Sequence, residues 1–471
     1  MKTIIKNGTI ITATDIYKAD ILIEKGVIKE IADCISFTSD ENVTIFDAGG
    51  QYIFPGGIDV HTHLDGPLRE SGNADDFVSG TRAAAAGGIT SIVNFTNPKK
   101  GQTLIDNLQE WKQHAESSLI DYGFHPIVCG YHDNVLEELP QLAEQGISSI
   151  KIFMTNKGDM ALNDQELYRI LKKAGDSGII TSVHAENGYI IDELIDESLS
   201  KGDTDPIFHA YTRPTVTEAE ATNRVLAIAE TANAPVYIVH ISCADALEQV
   251  IQAKKRGVQA FGETCPHYLA LDETYLRLPE FEGAKYVCSP PLREKWNQEY
   301  LWKGIADGSI SVVGSDHCPF QFDGQKTVGR NNFSKIPYGI PQIEDNFSIV
   351  YHYGVHEGRI SLQKFVEIMS TNPAKIFGLY PKKGSIAVGF DADIVIFDPN
   401  GSKTLSANSQ YQNVDYNLYE GTVVQGKITR VLSRGEEIVR DGKVIGEHGR
   451  GQFLFRKKQS TLKAEPEITY I

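Results

Sequence analysis

No two cysteines in this chain stand in a Cys-x-x-Cys arrangement; the six, at positions 34, 129, 243, 265, 288 and 318, are scattered. That spacing supports neither a disulfide framework nor a structural zinc knuckle, and reduced thiols packed as small hydrophobes suit a cytoplasmic enzyme. Nowhere do eighteen apolar residues run together, so no membrane span is supported. The opening Met1-Lys2-Thr3-Ile4-Ile5-Lys6-Asn7-Gly8 lacks an apolar signal core, and the expected location is the cytoplasm. Positive charge is also in deficit: 45 Lys and Arg against 62 Asp and Glu leave a formal net charge of −17. Such a balance disfavours nucleic acid and anionic membrane as partners, and leaves small molecules.

What is present is ordinary globular material, 41% hydrophobic and 23% charged, in 471 residues that can bury a large core. The two ends share a texture of short β-like runs and turns. Thr3 to Lys6, Asn7-Gly8 and Thr9 to Thr12 form a hairpin signal, and Asp393 to Phe397, Arg430 to Leu432 and Glu437 to Arg440 repeat the pattern. Residues 1–51 and 382–460 are therefore expected to build one small β-sandwich, discontinuous in sequence, with 461–471 as a C-terminal tail. Residues 52–381 alternate short apolar strands with helical stretches. Strands are expected near 57–61, 90–95, 121–129, 148–154, 179–184, 236–240, 258–264 and 310–316, and that rhythm predicts an α/β fold with a TIM-like (β/α)8 barrel. Its active site should lie at the carboxyl ends of the strands.

The first of these strands ends Asp59-Val60-His61-Thr62-His63, and a period of two places Asp59, His61 and His63 on one face. Two imidazoles aimed into one space suit a divalent metal, although a His-x-His pair alone is a weak signal. Lys151 interrupts the apolar fourth strand, where a cation is expensive to bury. His184 ends the fifth strand, His240 the sixth and Asp316 the eighth. Each has a plain alternative: a hydrogen-bonded core histidine, a capping aspartate, a lysine that snorkels outward. Cys243 and Cys318, each within three residues of one of these positions, are read as packing. The joint placement of six such residues at five strand ends favours a metal site.

These residues resemble the cyclic amidohydrolases, and within them the dihydropyrimidinases and hydantoinases, along essentially the whole chain. The resemblance rests on Phe54-Pro55-Gly56-Gly57-Ile58-Asp59-Val60-His61-Thr62-His63-Leu64, Lys151-Ile152-Phe153-Met154, His184-Ala185-Glu186-Asn187, Glu263-Thr264-Cys265-Pro266-His267, Ser289-Pro290-Pro291-Leu292-Arg293 and Gly314-Ser315-Asp316-His317-Cys318. It implies two divalent ions, zinc first with manganese as the alternative. His61, His63 and Asp316 would hold one, His184 and His240 the other, and a carboxylated Lys151 would bridge them. A bridging hydroxide would attack the ring amide, with Asp316 as the proton carrier. Dihydropyrimidines or 5-substituted hydantoins would open to N-carbamoyl amino acids. The alternative is an allantoinase-like or other cyclic ureide hydrolase, and a non-catalytic dihydropyrimidinase-like scaffold comes third. A homotetramer or homodimer is implied as well, with the Phe453-Leu454-Phe455-Arg456 stretch packing on a neighbouring subunit.

Substrate contacts depart from the resemblance. Where many hydantoinases have a tyrosine five residues after the modified lysine, this chain has Asn156; where they have asparagine near Lys335-Ile336-Pro337-Tyr338-Gly339, it has Tyr338. Either Tyr338 supplies the phenol that Asn156 cannot, or the Tyr338 backbone does the binding and Asn156 weakens oxyanion support; the resemblance also implies that Ser289 contacts the ring through its backbone. Arg69 and Glu70 make the loop after the first strand polar. Asp65 stands where dihydroorotases carry an arginine, which speaks against dihydroorotate.

Overall fold

Eight parallel strands follow one another through the middle of the chain: β1 Gly57–Thr62, β2 Ile89–Thr96, β3 Asp121–Pro126, β4 Ser149–Phe153, β5 Ile180–His184, β6 Val236–Ile238, β7 Ala260–Thr264 and β8 Val312–Val313. The structure is a computed structural model and describes residues 2–36, 43–66, 72–99, 101–131, 134–155, 158 and 160–458. β1 to β3 pair in one ladder and β4 to β8 in another, with Lys151 opposite Ser182 and Ser182 opposite Tyr237. Two single parallel bridges, Ile127 to Lys151 and Thr62 to His317, join the ladders on both sides. The cylinder is thereby closed, as a (β/α)8 barrel requires.

Helices cover its outside because their apolar residues recur at helical spacing. In Asp164–Asp176 the buried positions are Leu167, Ile170, Leu171 and Ala174, and Asn163 with Glu166 forms a capping box that starts the helix. Asp76 and Ser79 do the same for Phe77–Ala86. All eight expected strands are present. Four end earlier than their sequence suggests: β3 stops at Pro126, β4 at Phe153, β6 at Ile238 and β8 at Val313. At β6 and β8 the reason lies in the backbone. His240 and Asp316 take positive φ values of 40° and 52°, outside the β region that non-glycine strand residues occupy.

The two ends of the chain form the second unit. Ile394–Thr404 pairs with Tyr52–Pro55 and Val423–Ser433, so C-terminal strands lie beside N-terminal ones in a seven-stranded sheet. A four-stranded sheet of N-terminal strands completes it, and Ile5, Ile21, Ile53, Ile394, Ile396 and Leu432 are buried together. Barrel and sandwich meet at a buried charge knot. Lys383 Nζ lies 2.9 Å from Asp121, 3.1 Å from Asp391 and 2.5 Å from Asp393. The three carboxylates sit close enough together to hold an ion, and the ammonium occupies that role.

The 453–456 stretch packs on its own barrel: Leu454 N donates to Tyr122 O at 2.7 Å, and Phe453 stacks on Phe124 at 6.1 Å. Arg456 is buried and donates to Ser149 Oγ at 2.6 Å and to Phe124 O. Only Phe455 of the four is exposed. An aromatic-rich tail reads the same from sequence whether it covers its own barrel or a neighbour's.

Candidate active site

His61 and His63 leave β1 on the same side, and Phe95 of β2 forms the floor beneath them, 4.8 and 4.9 Å from the two rings. The turn that follows is held by Asn94, whose Oδ1 accepts from Thr62 Oγ1 and Leu64 N, both at 2.8 Å. Asp59 does not face the cavity. Its Oδ1 accepts from His61 N and Ser315 N at 3.1 Å and so ties β1 to the end of β8. Burial pushes its carboxyl up to about 6, against those hydrogen bonds.

The other side chains singled out at strand ends converge on this point. His240 lies 5.4 Å from His61 and 4.5 Å from His184, ring to ring. Asp316 Oδ1 lies 3.0 Å from His61 Nε2 and 3.4 Å from His63 Nε2. Lys151 is 1% exposed, and its Nζ lies over the rings of Phe95 and Phe153 at 4.9 and 5.2 Å. Backbone strain contributes to the convergence. The positive φ at His240 and Asp316 costs on the order of 1–3 kcal/mol each, a level found where side chains must be re-aimed at a site.

Whether these residues suit a metal can be judged from their nitrogen atoms. His61 Nε2, His63 Nδ1 and His240 Nδ1 are buried without a hydrogen-bond partner among the described residues. The 3.0 Å approach of His61 Nε2 to Asp316 lacks hydrogen-bond geometry, as expected for two groups that share an ion. Donor atoms of His61, His240 and Asp316 all lie within 4.8 Å of one another. Burial pushes His63 down to about 4, against Asp316, and His240 well below the usual histidine range, so both are neutral imidazoles, the ligating form. Burial also opposes charge on His61, yet Glu263 and Asp316 hold it at about 9. Burial lowers Lys151 to about 7, opposed by Asp316 and Glu263. Asp316 is itself held well below the carboxylate range: burial raises it, but His61, His63 and His240 together outweigh burial. The site has a nitrogen and oxygen donor set and calls for positive charge, which fits a divalent metal ion.

Two carboxylates behind the imidazoles went unrecognised in the sequence. Glu263 Oε1 lies 2.5 Å from His61 Nδ1, and its Oε2 accepts from Tyr237 Oη at 2.7 Å. Glu186 Oε2 lies 2.7 Å from His184 Nε2. A carboxylate behind each imidazole fixes which nitrogen faces the cavity. The signal for Glu263 was available: like Lys151, it is a charge within a buried strand.

The cavity wall includes Phe153, Met160, Ser289, Cys318, Phe320 and Tyr338. Ser289 and Tyr338 line this cavity, whereas Asn156, Arg69 and Glu70 lie outside the described residues. Cys243 is buried against Glu218, as a packing residue would be, while Cys318 lines the cavity.

A family model described as the amidohydrolase family matches residues 52–438. A D-hydantoinase from Geobacillus stearothermophilus is 50% identical over 470 residues, covering 99% of both chains. The crystal structure of a dihydropyrimidinase from Brevibacillus agri superimposes with a TM-score of 0.96 at 48% identity, covering 98% of this chain and 100% of that one. An L-hydantoinase (dihydropyrimidinase) from Arthrobacter aurescens matches with a TM-score of 0.86 at 29% identity, over 96% of this chain and 99% of that one.

Proposed function

The chain belongs to the amidohydrolase family, and from that membership we infer that it is a cyclic amidohydrolase, hydrolysing the C–N bond of a ring amide. Dihydropyrimidines and 5-substituted hydantoins are the proposed substrates, and N-carbamoyl amino acids the products. Relatives named for D-hydantoin hydrolysis, at 40–50% identity, favour the D series over the L-named relative at 29%. We place the reaction in the cytoplasm, in a homotetramer or homodimer.

The observation that carries this reading is the convergence of His61, His63, Lys151, His184, His240 and Asp316 around buried, unpartnered imidazole nitrogens. His61, His63 and Asp316 would hold one divalent ion and His184 and His240 a second, zinc first and manganese as the alternative. Lys151, carboxylated on Nζ, would serve both, which also removes the difficulty of a buried cation. Two such ions supply positive charge for a carbonyl oxygen and make water nucleophilic at neutral pH.

The protein's own groups do the rest. Asp316 is anionic and has 12% of its side chain exposed at the cavity, so it can take the proton of the attacking water and pass it to the leaving ring nitrogen. Phe153, Met160 and Phe320 exclude bulk water from the ring. Tyr338 stands on the cavity wall, where its phenol can donate to the developing oxyanion in place of the phenol that Asn156 does not supply. Tyr338→Phe should then lower kcat by about 10²-fold; an undiminished rate would sink that assignment. The activity itself is tested with dihydrouracil, dihydrothymine, substituted hydantoins, allantoin and dihydroorotate. Zinc or manganese reconstitution with bicarbonate precedes the assay. Opening of the first three classes is expected, and exclusive opening of allantoin or dihydroorotate would overturn the substrate assignment.

A further inference from the structure

Two residues outside the catalytic set, His209 and Arg213, lie between the two wall residues Ser289 and Tyr338. His209 sits in the short helix Phe208–Tyr211 and is 1% exposed; Arg213, just beyond that helix, is 9% exposed. Their hydrogen bonds define a direction. Arg213 Nη1 lies 3.2 Å from His209 Nδ1, and a guanidinium can only donate, so Nδ1 accepts. At the other side of the ring, Nε2 lies 2.9 Å from Cys288 O, and a carbonyl can only accept, so Nε2 carries the hydrogen. Both ends require the same tautomer. Ser289 Oγ, 3.1 Å from Nε2, therefore accepts from the same N–H. A hydroxyl that accepts on one side turns its own O–H elsewhere, and Ser289 borders the cavity.

The pair also borders Tyr338. The His209 ring lies 6.1 Å from the phenol ring, and the Arg213 guanidinium lies 5.9 Å from its centroid. Arg213 is itself anchored from behind, since Arg293 donates to its carbonyl oxygen and pairs with Glu218 at 2.7 Å.

We propose that Arg213 and His209 form a positioning pair that fixes Ser289 Oγ as a hydrogen-bond donor towards the substrate. The ring bound here must then present an acceptor, a carbonyl oxygen, to Ser289. This assigns Ser289 a side-chain role in addition to its backbone, and it rests on the proposed ring-opening activity.

The test uses full-length enzyme and a hydantoin or dihydrouracil that the wild type opens. His209→Met removes the N–H and should raise KM about three- to tenfold, the loss of one neutral hydrogen bond, with kcat within about twofold. His209→Gln, whose amide N–H reaches the same place, should restore KM. Ser289→Ala should match His209→Met, and adding His209→Met to Ser289→Ala should raise KM no further. An unchanged KM in His209→Met, or additive effects in the double variant, overturns the proposal. Histidine-selective ¹⁵N NMR gives a readout that needs no turnover. The Nε2–H tautomer at His209 is expected, and the Nδ1–H tautomer would refute the pair. A wild type that opens no ring while showing the Nε2–H tautomer would instead count against the functional reading.

Discussion

Glu263→Gln isolates the layer behind the proposed ligands, because it changes charge and acceptor count while keeping volume. The carboxylate of Glu263 is fully buried and serves three donors: His61 Nδ1 at 2.5 Å, Tyr237 Oη at 2.7 Å and His240 N at 3.1 Å. A glutamine offers one acceptor oxygen, and its NH₂ faces at least one of those donors as a like partner. His61 then loses the contact that sets its tautomer and ring orientation. Disrupting such a support typically weakens metal affinity about 10–100-fold, or ~1.4–2.7 kcal/mol. The assay is titration of metal-free protein with zinc in competition with a chromophoric chelator. Thermal unfolding of the metal-free form serves as a control for folding. Zinc affinity unchanged in a folded Glu263→Gln variant would refute the role assigned to this carboxylate.

Lys383→Met should expose the dependence of the two units on their shared charge knot. Leaving Asp121, Asp391 and Asp393 without their ammonium costs about 3–5 kcal/mol, read as a Tm lower by ~5–10 °C, and a shift within about 1 °C would contradict it. Glu344 gives a pH prediction away from the site. Burial pushes its carboxyl from the ordinary 4.5 up to about 7, with Lys403 opposing. Between those values the folded chain holds a proton that the unfolded chain releases, so stability falls as pH rises through that window. Glu344→Gln should flatten the decline, and denaturation midpoints that fall equally in both proteins would count against it.

Much of the barrel was legible because its strands are short apolar runs with helical spacing between them. The helices Asp164–Asp176 and Ala244–Lys255 lie in the helical stretches between expected strands. The six polar positions were legible for a related reason: a charge or imidazole in a buried strand demands an explanation. Less visible was the strand geometry at His240 and Asp316, since an apolar run does not reveal that the next residue adopts a positive φ. His209 and Arg213 carried no signal, because they lie in and beside a four-residue helix and act through a loop some eighty positions away. The place of Arg456 was hidden for a different reason. Its partners, Ser149 and the Phe124 carbonyl, belong to strand positions that look fully apolar or neutral in sequence.

The central claim is that these six residues form a divalent-metal site that opens cyclic amides. Its most direct test follows metal content and hydantoin or dihydrouracil opening in the same preparations, for wild type and for Lys151→Ala. The account predicts about two divalent ions per wild-type chain and a rate that rises with occupancy and is abolished by chelation; Lys151→Ala should lose both. Ring opening that persists in fully metal-free protein, or wild type that holds two ions and opens no ring, would contradict it.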